Sequence, residues 1–272
     1  MLGLGTSLST QIAGSSYKEL SELNNYADLD VHFDFSTLTG THGATVSLPI
    51  ANSSTAGTPS NFNITSLTAT PTLDLSTMGK ASVAFDSSEE ILNMAAAYTT
   101  SGKAFTFFIV VHRSDTTNDM TVASTTVTDT GEPDDYIRFM GAGGDVTIAL
   151  ENKAAVAVAT DSTGGTTTDY TAIADRNMVY VIRRNASPGS VFIYGDAGLY
   201  IAAKATGPMQ LGATFELGHI GGTTAGSYAD LIGNIGEVGL YDVALTAADT
   251  IILAKELSNK WGISINPLTI DV

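Results

Sequence analysis

The sequence predicts an all-β fold, an antiparallel β-sandwich of the jelly-roll kind with a short N-terminal helix and a C-terminal helix. Three observations predict it. Thr and Gly are abundant, with 27 Gly in 272 residues; Thr favours strands and Gly favours turns. Short strand-type runs recur along the chain, separated by turn signals every ten or so residues. Only 15% of residues are charged while 43% are hydrophobic, so the chain can fill a core, and its polar surface must come largely from uncharged residues.

The elements follow in order. Ser16 caps a short helix, with Glu19 three residues on and Leu20, Leu23 and Ala27 at helical spacing. Residues 1–30 are thus read as an N-terminal arm carrying this helix, and 31–272 as one sandwich domain. Val31–Phe35 alternates as a half-buried strand does. Residues 36–80 are read as a long loop region with one strand at Ala44–Ile50, because Thr, Ser, Asn, Pro and Gly dominate Asn52–Asn63; a linker between two domains is the alternative. Regular strands then follow at Ser82–Phe85, Ile91–Met94, Ala104–Val111, Tyr136–Met140, Val146–Leu150, Ala154–Ala159, Met178–Arg183, Val191–Tyr194, Leu199–Ala203, Phe215–Ile220 and Gly233–Tyr241. Ala104–Val111 is nearly all apolar, which suits a strand covered on both faces. A closing helix starts at the cap Thr246, with Asp249 in its first turn, aligns Leu253, Leu257 and Trp261, and stops at Gly262. Trp261, the one Trp of the chain, is read as the anchor of this helix on the sheet.

Charge and composition exclude partners. Twelve Lys+Arg against 28 Asp+Glu leave a formal charge of −16, so neither nucleic acid nor an anionic membrane surface is an expected partner. No Cys is present, which removes disulfides, thiolate chemistry and Cys-ligated metals. No stretch approaches the roughly 18 apolar residues of a membrane span. Met1–Leu8 has neither a basic n-region nor an h-region, so export by a secretory signal is not expected.

The segment Gly233–Thr246 carries the most specific signal. Gly233, Ile235, Glu237, Val238, Tyr241, Ala244, Leu245 and Thr246 follow a Gly-x-Ile-x-Glu-Val-x-x-Tyr-x-x-Ala-Leu-(Ser/Thr) run. This resembles the closing strand and turn of laminin-G-like, concanavalin A-like lectin jelly rolls. Ser82–Leu92 is similar to that family's early strand, and Val191–Leu199 to its central hairpin. The final helix with its Trp261-Gly262-Ile263 end resembles the tail of such modules in bacterial and phage proteins, tailed-phage virion proteins among them. The resemblance implies a lectin-like sandwich and, at its rim loops, calcium. Glu237 lies within a strand and is read as a carboxylate bonded to backbone amides of a neighbouring loop.

Tests for catalysis come back negative. The Glu-x-Asp-x-x-Glu pattern that converges acids on a sugar cleft is missing, as are Gly-x-Ser-x-Gly and the phosphate-binding loop. His32, His42, His112 and His219 form no closely spaced pair, and each is read as a packed or surface residue. Gly141–Gly144 reads as a hairpin turn. Asp129, Glu132, Asp134 and Asp135 place four carboxylates in seven residues; they are calcium candidates, with a solvated acidic loop as the alternative. Tyr136, Tyr170, Tyr194, Tyr200 and Tyr228 are available for sugar stacking but are scattered. No catalytic residue and no cofactor beyond calcium is expected. The expected role is a non-enzymatic structural component of a bacteriophage particle, as head decoration or tail, baseplate or fibre protein, with other virion proteins and copies of itself as partners. A carbohydrate-binding module for cell-surface glycans is the alternative.

Overall fold

The computed structural model describes residues 29–54, 59–86, 90–100, 104–114, 120–124, 135–142, 145–152, 155–159, 176–184, 190–195, 200–204, 215–222 and 229–263. The N-terminal helix expected at Ser16 and most of the arm 1–30 lie outside them. Sixteen strands, one α-helix and two short 3-10 turns (Phe35–Thr37 and Pro59–Phe62) are described. The strands are β1 (Leu29–Asp34), β2 (Ile64–Thr68), β3 (Thr72–Asp74), β4 (Ser82–Phe85), β5 (Ile91–Thr99), β6 (Phe105–Arg113), β7 (Met120–Ser124), β8 (Asp135–Ala142), β9 (Asp145–Asn152), β10 (Ala155–Ala159), β11 (Asn177–Arg184), β12 (Ser190–Gly195), β13 (Tyr200–Lys204), β14 (Glu216–Ile220), β15 (Ala229–Asp230) and β16 (Gly233–Tyr241). The helix, α1, spans Ala247–Trp261.

The strands form two eight-stranded sheets. One runs β13-β12-β11-β6-β16-β4-β3, with β1 also on β16; the other runs β10-β9-β8-β7-β14-β5-β2, with β15 on β7. All pairings are antiparallel except β15 with β7. The expected all-β antiparallel sandwich with a C-terminal helix is therefore the fold.

Side-chain alternation builds the core. Phe105, Phe107, Ile109 and Val111 of β6 point between the sheets, where they join Val31, Phe33, Val83, Phe85, Leu92, Tyr180, Phe215, Val238 and Leu240. Phe108 and Val110 point the other way and meet α1 through Leu253, Ala254, Leu257 and Trp261. This explains the unbroken apolar run of β6, since both of its faces are covered. Burial of such side chains contributes about 1.5–3 kcal/mol each.

Helix α1 begins and ends as its sequence dictates. Asp249 N–H donates to Thr246 Oγ1 at 3.1 Å, and that hydroxyl donates to Asp249 Oδ2 at 2.7 Å. Gly262 adopts φ 67°, and Ile263 N–H donates to Ser258 O at 2.8 Å, a left-handed stop that suits glycine. Replacing Thr246 with Ala is expected to cost about 1 kcal/mol, read as a lower denaturant midpoint with an unchanged m-value.

The region 36–80 departs from expectation. Ala44–Ile50 is no regular strand; it contributes only the bridges Thr45 to Thr72 and Ile50 to Ile64. Pro49 lacks the N–H a ladder needs. The strands lie further on, at β2 and β3, both short and rich in Thr. β5 runs on to Thr99 through Ala95–Ala97, residues of poor strand propensity, and β7 and β15 were not expected.

The segment Asn52–Ser54 covers the free edge of β1. His32 N–H donates to Asn52 Oδ1 at 2.8 Å, Ser53 N–H to His32 O at 2.9 Å, and Asn52 Nδ2 to Asp30 O at 2.8 Å. Ser54 Oγ donates to Leu29 O. These bonds satisfy an edge that would otherwise invite pairing with another chain.

Candidate functional site

Strand β1 alternates Val31 and Phe33 into the core with His32 and Asp34 on the opposite face. That is the face α1 covers. Strand β16 lies beside it, with Glu237 in register with Asp34. A bulge between Ile235 and Glu237, where β16 meets β6, inserts an extra residue, so Ile235 and Val238 both reach the core although three apart. The bulge leaves Gly236 and Glu237 towards α1. A Cβ on Gly236 would sit 2.5 Å from the Trp261 ring, so only glycine leaves room for the indole.

Glu237 is 1% exposed and accepts three hydrogen bonds. His32 Nε2 lies 2.8 Å from Oε1, while Lys260 Nζ at 2.7 Å and Trp261 Nε1 at 2.9 Å share Oε2. The backbone-amide partners expected for Glu237 are thus replaced by side chains of β1 and α1. Sequence could not show this, because His32 and Glu237 are 205 residues apart. Lys260 also reaches Asp34 Oδ2 at 2.8 Å, and Ser36 N–H and Oγ donate to Asp34 Oδ1 at 3.1 and 2.6 Å. Burial alone would raise the Asp34 pKa; the hydrogen bonds from Lys260 and Ser36 and the Lys260 charge outweigh it and hold the carboxyl below its ordinary value.

His32 extends this network to the surface. Its Nδ1 lies 2.9 Å from Ser53 Oγ. His32, Asp34, Thr37 and Ser53 line a cleft of about 400 Å³ whose other walls are Leu38, Pro49, Ile50 and Ala51. Small-ligand clefts commonly span about 300–1,000 Å³. One wall offers a carboxylate, hydroxyls and an imidazole edge; the other is apolar.

Several of the remaining sequence candidates lie outside the described residues. Asp129, Glu132 and Asp134 lie outside the described residues, and Asp135 opens β8. Among the described residues, no group of three or more His, Asp or Glu is arranged to hold a metal ion. Tyr170 and Tyr228 also fall outside. Tyr194 and Tyr200 stand directly opposite each other in the β12–β13 register, a juxtaposition their scatter in sequence hid. Gly143 and Gly144 of the expected hairpin turn lie outside the described residues; the flanking strands β8 and β9 pair antiparallel, with Ala142 opposite Asp145.

His219 sits in the other sheet. Its Nδ1 is 2.7 Å from Asn93 Oδ1, and Asn93 Nδ2 donates to Thr68 Oγ1 at 3.1 Å, linking β14, β5 and β2. Burial lowers the His219 pKa. Its folded value lies below the unfolded one of about 6.5, so the unfolded chain takes up the proton first. The stability tied to this group is complete above about pH 6.5 and is lost as pH falls through the folded value. Replacing His219 with Gln is expected to flatten the fall in melting temperature on acidification from pH 7 to 5.

These features define a two-sheet antiparallel β-sandwich domain with a helix closing one sheet and a polar cleft beside it. Several solved structures match this fold at low sequence identity. Domain 4 of AbnA, an extracellular arabinanase from Geobacillus stearothermophilus, determined with arabinotriose, matches at a TM-score of 0.55 and 14% identity over 84% of this chain and 98% of that one. A GH54 α-L-arabinofuranosidase matches at 0.52 and 14% identity over 90% of this chain and 62% of that one. A sialidase from Trypanosoma rangeli matches at 0.50 and 13% identity over 95% of this chain and 36% of that one. At these identities the likeness is one of fold, and the chain spans only part of the two larger enzymes. No family and no curated protein matches the sequence.

Proposed function

We propose that the chain is a carbohydrate-binding domain that recognises a cell-surface glycan without cleaving its glycosidic bonds. The observation that carries this reading is the cleft of about 400 Å³ beside β1. Asp34 and the hydroxyls of Thr37 and Ser53 offer sugar hydroxyls acceptors and donors, while Leu38, Pro49 and Ile50 suit the apolar face of a ring. The sandwich type supports it, since AbnA domain 4 was determined with arabinotriose. The reading without glycosidic cleavage is supported by the carboxylates among the described residues: Glu237 is buried under three donors, and Asp34 is the carboxylate on the cleft wall. A glycan array tests the reading. A clean hit that Asp34→Ala weakens at least tenfold is expected, and silence across the array refutes it.

A second reading concerns setting. The final helix with its Trp261-Gly262-Ile263 end, which resembles phage members of the lectin-like family, favours a virion structural component that packs against copies of itself and other virion proteins. Decoration, tail, baseplate and fibre positions all fit, and a glycan-binding adhesin would satisfy both readings. An antibody to this chain should label virions in negative stain; failure to label any particle refutes the setting.

A further inference from the structure

We propose that Ser53, His32 and Glu237 form an acyl-transfer relay that removes small acyl esters from the bound sugar. The inference rests on the reading of the cleft as a glycan site and adds chemistry to it. Ser53 is exposed on the cleft wall, and its Oγ lies 2.9 Å from His32 Nδ1. On the far side of the ring, His32 Nε2 lies 2.8 Å from Glu237 Oε1. An ionised carboxylate only accepts, so Glu237 fixes the proton on Nε2 and leaves the Nδ1 lone pair to the serine hydroxyl. Nucleophile, base and orienting acid are thus in hydrogen-bond contact in the order acyl transfer requires. The ring is turned relative to the familiar serine triads, with the acid on Nε2 and the hydroxyl on Nδ1, but both nitrogens serve equally as base. Neighbours hold the acid in place, since Lys260 and Trp261 donate to its other oxygen at 2.7 and 2.9 Å.

The step balances with water as the co-reactant. Ser53 Oγ bonds to the acyl carbonyl carbon while its proton passes to His32 Nδ1. The ester C–O bond breaks, and the departing sugar oxygen takes that proton. Water then attacks the acyl-serine, gives a proton to Nδ1, and releases the carboxylic acid as Ser53 recovers its proton. The apolar wall of Leu38, Pro49 and Ile50 suits a small acyl group such as acetyl.

Ser53 Oγ is also 2.9 Å from the His32 carbonyl oxygen, so its single proton has two acceptors and must commit to Nδ1 when substrate arrives. The charge of Lys260 is already matched by Asp34 and Glu237, so it offers little to a developing oxyanion, usually the largest contribution to such catalysis. Slow turnover on activated esters follows.

The full chain is incubated with a fluorophosphonate probe and, separately, with p-nitrophenyl acetate and an O-acetylated glycan. Adduct mass on the peptide holding Ser53, and hydrolysis at least tenfold above that of Ser53→Ala, are expected. Ser53→Ala should keep its melting temperature, because Ser53 is exposed and alanine retains the backbone N–H bond to His32 O. Glu237→Gln tests the positioning residue: kcat per folded molecule, with the folded fraction measured by circular dichroism, should fall while KM stays unchanged, and a fall that the unfolded fraction fully accounts for counts against the relay. Equal hydrolysis by parent and Ser53→Ala, with no adduct on Ser53, overturns the proposal even if the glycan array scores. Ser53-dependent hydrolysis of p-nitrophenyl acetate without any glycan hit sustains the relay and overturns only the glycan reading.

Discussion

Replacing Glu237 with Leu is expected to destabilise the protein by about 3–5 kcal/mol, the usual cost of removing one member of a buried charged network. The carboxylate is the shared acceptor for His32, Lys260 and Trp261. Leucine fills the space but leaves the indole N–H, buried at the helix end, facing hydrocarbon. Lys260 keeps Asp34, which limits the loss on that side. Glu237→Gln should cost less, since its amide oxygen still accepts from one or two of these donors. Thermal unfolding followed by circular dichroism makes the comparison; a Glu237→Leu protein within about 1 kcal/mol of the parent would show the network to be dispensable.

Replacing Trp261 with Ala should cost a similar amount, about 3–5 kcal/mol, from lost burial and the cavity left behind. The indole is 3% exposed and packs with Phe108, Val110 and Tyr241, over a floor made by Gly236. Gly236→Ala approaches the same site from below: the new methyl, 2.5 Å from the ring, must displace the indole and break its bond to Glu237. Gly236→Ala reports through tryptophan fluorescence, because the chain holds one Trp, whereas Trp261→Ala removes that signal and is followed by its melting temperature. Fluorescence of Gly236→Ala should shift to longer wavelength as the ring becomes wetter. Emission and melting temperature that match the parent would contradict the packing described for this helix.

The sandwich was legible where one residue pattern answered to one environment. β6 showed its two covered faces as an unbroken apolar run, and α1 showed its cap, stripe and glycine stop. The Gly233–Thr246 run located the last strand, although its bulge was visible only as the odd three-residue gap between Ile235 and Val238. β2, β3 and β7 were hidden because short Thr- and Ser-bearing strands look like loop, and their strand character comes from partners elsewhere in the sheet. The cleft was not legible at all. His32, Ser53 and Glu237 belong to a strand, an irregular edge segment and a distant strand, and no spacing rule links them. Each histidine read alone was a packed or surface residue, and for His112, which lies beside Asn177, that remains an adequate account. His32 differs only because Asn52–Ser54 folds back over the β1 edge and carries a hydroxyl to it.

The place of β1 has a consequence for how the protein is made. Its ladder partner is β16, with Leu29 opposite Tyr241 and Asp34 opposite Glu237, and β16 itself fills the gap between β6 and β4. A ribosome must deliver β16, whose Glu237 follows His32 by 205 residues, before the middle of that sheet exists. Until then β1, β4 and β6 wait with unpaired edges and exposed phenylalanines, at elongation rates of about 5–20 residues per second. Folding is therefore expected to be post-translational and slow, as sequence-distant pairing generally is. Nascent chains stalled before residue 233 should be protease-sensitive and bound by chaperones, and release past α1 should convert them together.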